Sequence, residues 1–219
     1  YYEVSSPALR KFDRLDPHSL RAPPSAKQHR LLSIYSQVYR IEAGAWFGNH
    51  RDWLLEAMHR DCRGALAGRE CLEVSWDAQA DMAEALEKKV ERVMAFLDYQ
   101  KFFDSFEPHF ISKLMLEVGV DEGLVALFLD LNTRSVRHAK VGDTFGPAMR
   151  PFNALGQGDP MVLLAALIYI SVQFDVLDAL CPEVEKGAVV DDRNFRGPVN
   201  EVTRAVDVVM EFDDLAGHI

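Results

Sequence analysis

The chain has 219 residues, 48% of them hydrophobic, enough for one large domain or two closely packed lobes around a real core, which excludes disordered and collagen-like classes. Twenty-four Lys and Arg against 34 Asp and Glu leave a formal net charge of −10, so any nucleic-acid role must rest on local sites and not on bulk charge. The longest apolar run, Met161 to Ile170, is about half the roughly 18–20 residues of a bilayer span, and the chain does not open on a basic stretch followed by an apolar one, so it reads as soluble with no membrane partner.

Cys62, Cys71 and Cys181 include no C-x-x-C pair, so neither a disulfide framework nor a four-ligand zinc site is indicated. A reducing, intracellular setting in cytoplasm or nucleus follows. Pro7, Pro17, Pro23 and Pro24 among serines and charges predict a loop-rich first thirty residues. Apolar residues at Leu32, Tyr35, Val38, Tyr39, Ile41, Trp46 and Trp53 predict a helix after Arg30, interrupted by Gly44 and Gly48. Gly64 to Gly68 reads as a small-residue loop and Val74 to Lys89 as a helix, with Glu84 and Lys88 paired on its solvated face. Val93 to Leu97 reads as a buried strand that leaves Asp98 at its end.

Pro108 and Gly119 frame a helix from Glu107 to Val118, and Asp121 caps another to about Asn132. Two antiparallel strands, Ser135 to Val141 and Thr144 to Phe152, flank Gly142-Asp143. Asp159-Pro160 opens a helix from Met161 to Leu180 whose apolar character nearly all round makes it the central one. Gly187 to Val190 and Asn194 to Arg196 are short strands joined by Asp191-Asp192-Arg193, and Pro198 opens a last helix to about Phe212. Trp46, Trp53 and Trp76 are assigned to the core, and His29, His109 and His138 lack metal-ligand spacing.

Three features carry chemistry in a fixed order: Asp98 closing an apolar strand, the glycine-rich turn GQGDP at Gly156 to Pro160, and the acids of VVDDR at Asp191 and Asp192. Adjacent carboxylates repel, so such a pair calls for solvent, hydrogen bonds or a cation. A third carboxylate from another strand would complete an oxygen-rich site for Mg²⁺, and two such ions can clamp an in-line phosphoryl transfer.

In this order the segments resemble the reverse transcriptases, those of non-LTR retrotransposons and group II introns in particular. LDYQKFFDSF is similar to the first palm motif, GQGDP to the Pro-Gln-Gly-x-Pro turn and VVDDR to the aromatic-x-Asp-Asp hairpin. Upstream, KQHRLLSIYSQVYRI is similar to a fingers segment and GALAGREC to the glycine-containing loop before the palm. Gly156 stands where that pattern has Pro, and Val189 where it has Tyr or Phe.

The resemblance implies an α+β fold of right-hand type: fingers over residues 1–92, and a palm over 93–219 with part of the fingers inserted between Glu107 and Phe152. The antiparallel palm sheet would carry helices on one face, and the chain would be a fragment lacking the thumb. It implies RNA-directed DNA polymerase activity on RNA template, DNA primer and deoxynucleotides, with this fragment alone inactive and the oligomeric state left open. Asp98, Asp191 and Asp192 would hold two Mg²⁺ ions, with Mn²⁺ able to substitute. Phe103 would exclude a 2′-hydroxyl, Gln157 and Gly158 would let the backbone approach template and nucleotide, and Arg30 with Lys27 would hold the triphosphate. The alternative is a decayed module of the same kind that binds RNA or a protein without catalysis. A viral RNA-dependent RNA polymerase would be expected to have Gly before the double Asp and a polar residue in place of Phe103, where Val190 and Phe103 stand.

Overall fold

Asp159 and Pro160 start the longest helix for a local reason: the Asp159 Oδ1 accepts the Met161 backbone N–H at 2.9 Å, and Pro160 occupies the first turn, where its missing N–H costs nothing. This helix, Pro160–Leu180 (α7), is the longest element of a computed structural model that describes residues 3–10, 29–31, 33–99, 101–141, 143–150 and 155–217. It is long and apolar enough to cross a membrane, but 72% of its most apolar window is buried inside the fold. Around it close the wholly buried Phe106, Phe128 and Phe195, against its own Tyr169 and Phe174. The core therefore forms on α7, as its all-round apolar character predicts.

Two four-stranded sheets frame this core. One has the order β2-β1-β5-β6, built from Glu3–Arg10 (β1), His29–Leu31 (β2), Val136–Val141 (β5) and Thr144–Met149 (β6). The other has the order β3-β7-β8-β4, from Cys62–Arg63 (β3), Val93–Leu97 (β4), Glu185–Val189 (β7) and Asp192–Gly197 (β8). Here β4, β8 and β7 are antiparallel neighbours while β3 joins β7 in parallel, so the sheet is mixed and not purely antiparallel.

The helices also lie on both faces of this sheet, not one. On one face Phe174 of α7 meets Phe195 edge-on at 6.2 Å, and Val199–Leu215 (α8) packs alongside. On the other lies Cys71–Lys88 (α3), where Asp81 accepts a 2.6 Å hydrogen bond from the Arg196 Nε, and Glu73 faces Arg63 at 3.2 Å. No residue of α3 is fully buried; beside these polar contacts Val74 lies over Gly187 of β7, and Trp76 is left 70% exposed, against its assignment to the core. Trp46 and Trp53 do pack on the core.

The first segment departs most from expectation. Residues 3–10 form β1, held between β2 and β5 by long-range pairing that local composition does not encode. A strand, β2, stands at Arg30, and the helices come later, at Gln37–Asn49 (α1) and Arg51–Ala57 (α2). Gly44 and Gly48 do not interrupt α1, since a glycine inside a helix costs only about 1 kcal/mol relative to alanine. After α2, Arg69 of GALAGREC donates to the carbonyls of Leu55, Met58 and His59 at 2.5–3.2 Å, satisfying the acceptors that a helix end leaves over. The helices Pro108–Val118 (α5) and Glu122–Arg134 (α6) start and stop where their caps predict.

Candidate active site

Strand pairing brings the three singled-out acids to one end of the second sheet. The hairpin of β7 and β8 pairs Val189 with Asp192, so its turn is Val190-Asp191, and Asp192 belongs to the strand and not to the tip. On the other side of β8 the ladder with β4 ends at Leu97 opposite Arg193. Asp98 thus leaves β4 beside Asp192, with strand axes about 4.8 Å apart. Side chains alternate along a strand, which puts Phe96 and Asn194 on the face that Asp98 and Asp192 share. Asp98 and Asp192 are exposed and Asp191 half-buried, while Phe96 is 72% exposed on what is an edge strand, not a buried one.

Val190 is the strained point of this turn. Its φ is +58°, a conformation that a β-branched residue adopts only when its surroundings force it. Hard carboxylate oxygens gathered at one sheet end are a donor set of the kind that suits Mg²⁺. Their ligand atoms are not drawn into a group of three within 4.8 Å of one another, as befits carboxylates that repel.

The residue after each of two acids points the opposite way, into the protein. Tyr99 follows Asp98 and donates its hydroxyl to the Oδ1 of Asp213 on α8 at 2.5 Å. Arg193 follows Asp192; its guanidinium lies 3.9 Å over the Tyr99 ring, donates to the Gln173 Oε1 at 2.5 Å and faces the Asp213 Oδ2 at 3.5 Å. Tyr169 and Gln173 of α7 also donate to the Asp213 Oδ1, at 2.7 and 2.9 Å. Sequence reading missed this buried set: Tyr99 and Arg193 were legible only as neighbours of the acids, and an Asp late in an amphipathic helix reads as a solvated residue.

The remaining candidates gather round the turn before α7. Phe103 lies in the short helix Phe102–Ser105 (α4), half-buried, and its carbonyl accepts the Leu155 N–H at 2.8 Å, one residue before Gly156. The Gln157 carbonyl accepts the Ser33 N–H at 2.5 Å, tying the segment after β2 to the turn. Arg30 is placed in β2 by its backbone, and Lys27 lies outside the described residues.

Gly158 is required for a reason internal to the chain: its φ is +109° and a Cβ there would collide with the Ser33 carbonyl oxygen. At Gly156 a Cβ would collide with the Tyr35 hydroxyl. Gly158→Ala should therefore lower unfolding free energy by about 2–4 kcal/mol, backbone strain added to overpacking, as read by chemical denaturation.

Asp159 is buried beneath the turn, its Oδ1 accepting the Tyr39 hydroxyl at 2.6 Å while its Oδ2 has no hydrogen-bond partner among the described residues. Burial raises its pKa against the lowering effect of Tyr39, the Met161 N–H and Arg137. The folded state thus holds this proton more tightly than the unfolded one. Its destabilising contribution is absent below the unfolded value of about 3.9, grows as pH rises and is complete above the raised folded pKa. Melting temperatures of wild type and Asp159→Asn taken from pH 4 upward should accordingly shift in favour of the variant as pH rises.

Against known proteins, no family model and no curated protein matches the chain. Solved structures do match. Apo telomerase from Candida tropicalis, truncated from its C-terminal domain, has TM-score 0.67 at 10% identity over 100% of this chain and 48% of its own. The Candida tropicalis enzyme in complex with a TWJ fragment of telomeric RNA gives 0.67 at 9% identity over 99% and 39%. The corresponding Candida albicans complex gives 0.62 at 10% over 100% and 40%.

The fold is reverse-transcriptase-like. The chain spans less than half the length of these structures, and at such identity the likeness concerns the fold alone.

In this reverse-transcriptase-like fold the one three-ligand cluster within 4.8 Å among the described residues lies elsewhere, at His59, Asp175 and Asp178. The Asp61 backbone N–H donates to the His59 Nδ1 at 3.1 Å, which leaves the ring proton on Nε2, donated to the Asp178 Oδ2 at 2.9 Å. A metal at Nε2 would have to move that proton to Nδ1, where the Asp61 N–H already points. Buried Lys186 also donates to Asp178. Burial alone would raise the Asp178 carboxyl, but the His59 and Lys186 donors outweigh it and hold the pKa below its usual range. Through these bonds the cluster ties α7, β7 and the loop after α2 together.

Proposed function

We propose that the chain is the fingers and palm part of an RNA-directed DNA polymerase, with Asp98, Asp191 and Asp192 as ligands of two Mg²⁺ ions, which Mn²⁺ can replace. The observation that carries this reading is the pairing of β4 with the β7–β8 hairpin, which sets Asp98 beside Asp191-Asp192 at an open sheet end within a reverse-transcriptase-like fold. The motifs resemble the non-LTR and group II intron lineage while the neighbouring structures are telomerases, so the reading is kept to what both share, template-directed DNA synthesis.

The reaction forms a bond between the primer 3′-oxygen and the α-phosphorus of a deoxynucleotide, breaks the α–β phosphoanhydride and releases pyrophosphate, the hydroxyl proton passing to solvent. The ions supply charge neutralisation on the transferred phosphoryl group and a lowered hydroxyl pKa. The chain's own residues bind and orient. The three acids hold the cations, Arg30 and Lys27 engage the triphosphate, the turn at Gln157 and Gly158 borders the nucleotide, and the Phe103 ring excludes the 2′-hydroxyl.

A second reading, a non-catalytic module that binds RNA or a protein, draws support from the net charge of −10. The two telomerase complexes hold RNA, which supports nucleic acid as a partner under either reading. Incorporation of labelled deoxynucleotide onto a DNA primer annealed to RNA, dependent on Mg²⁺ and abolished by chelation, is the expected result for the full-length protein. RNA binding with no extension in Mg²⁺ or Mn²⁺ would select the second reading.

A further inference from the structure

The buried set beneath the acids raises a question of cost. Arg193 and Asp213 are both almost fully buried, and burying an ion pair gains little stability over well-packed apolar residues of similar volume. Their placement suggests another use. Asp98 and Asp192 stand side by side just beyond the last pair of the β4–β8 ladder, where like charges repel and favour separation of the two strand ends. Tyr99 and Arg193, each the next residue along, turn to the opposite face, stack on one another at 3.9 Å and meet one carboxylate, Asp213, on α8. Asp213 is in turn fixed from α7 by Tyr169 and Gln173, and Gln173 also accepts from Arg193.

We propose that Asp213, with Tyr99 and Arg193, is a positioning unit that holds the strand ends bearing Asp98 and Asp192 at the separation two shared cations need. This rests on the metal-site reading of the three acids. None of these residues touches substrate in this scheme. They act by fixing the backbone from which the ligands project, as outer groups do for metal-binding side chains. One anion buried on α8 thus sets the spacing of carboxylates on the opposite face of the sheet, and α8 becomes part of the metal site without contributing a ligand.

The test uses the full-length protein and reads Mn²⁺ binding directly, by electron paramagnetic resonance of the free ion, beside melting temperature, the Mg²⁺ dependence of primer extension and the separate kcat and KM for deoxynucleotide. Tyr99→Phe removes one donor to Asp213 while keeping the ring under Arg193, and Asp213→Asn keeps the shape while removing the charge. Each is expected to weaken Mn²⁺ binding by about tenfold or more, the effect of losing a group that orients metal ligands. The Mg²⁺ midpoint for extension should rise in parallel, with kcat lowered and KM unchanged. Tyr99→Phe should melt close to wild type. A lowered melting temperature in either variant with wild-type Mn²⁺ affinity would make the set merely structural and overturn the proposal. Asp191→Asn serves as the reference: if it binds Mn²⁺ as wild type does, the metal site itself is wrong and the positioning unit falls with it. If it loses Mn²⁺ while Tyr99→Phe and Asp213→Asn do not, only the positioning unit is refuted.

Discussion

Asp98→Asn and Asp191→Asn are each expected to reduce primer extension by at least about a hundred- to a thousandfold, the scale on which loss of one preorganised charge-stabilising group slows an enzyme. Asp98 follows β4 and Asp191 lies in the turn between β7 and β8, and the two come to the same end of the sheet because β8 lies between β4 and β7. Asparagine keeps the shape and one carbonyl oxygen but cannot supply the negative charge that a cation demands. Asp98 is exposed at the end of an edge strand, so its replacement should leave the melting temperature within a degree or two of wild type, and removing one of several repelling carboxylates does not destabilise the metal-free protein. The measurement is extension on an RNA template by each purified variant beside its thermal unfolding. Wild-type extension by either folded variant would rule out the assigned site.

Phe103→Ala is expected to admit ribonucleotides, with discrimination against the 2′-hydroxyl falling at least about tenfold, roughly 1.4 kcal/mol of selectivity. The three phenylalanines of this stretch differ in burial. Phe102 is 2% exposed and Phe106 0%, and the two rings meet at 4.6 Å, so these are core residues. Phe103 packs edge-on against Phe102 at 5.1 Å but keeps part of its ring outside the core, on a backbone tied to the turn at Leu155. Its truncation should cost about 1–2 kcal/mol of stability, while Phe106→Ala should cost about 3–5 kcal/mol, the usual range for a wholly buried phenylalanine. Incorporation of deoxy- against ribonucleotide and the melting temperature are read on the same variants. A folded Phe103→Ala enzyme with unchanged sugar choice would refute the gate and leave the metal site standing.

What could be read from the sequence divides by range. Elements set by local signals were legible: α7 from its apolar run and Asp-Pro cap, α5 from Pro108 and Gly119, α6 from Asp121, and the hairpin of β5 and β6. The order of Asp98, the glycine turn and the double Asp was legible for the same reason, since each closes or opens such an element. Elements set by long-range pairing were not. A proline within β1 argues locally against a strand, yet β5 pairs with it along its length. Trp76 looked like core because tryptophan is apolar, whereas α3 is anchored by charges to Arg63 and Arg196. Gly158 also meets a need that its sequence context does not show, since a Cβ there would collide with the carbonyl of Ser33, a residue far away in the chain. Asp213 was illegible because its partners come from three other elements.

The most direct test of the central claim is where the cations bind. Crystals of the protein with Mn²⁺, an RNA-DNA primer-template and a non-hydrolysable deoxynucleotide, measured at the manganese absorption edge, should show two anomalous peaks about 3.5–4 Å apart between the carboxylates of Asp98 and Asp191. A single peak at His59, Asp175 and Asp178, with none at Asp98 and Asp191, would contradict it.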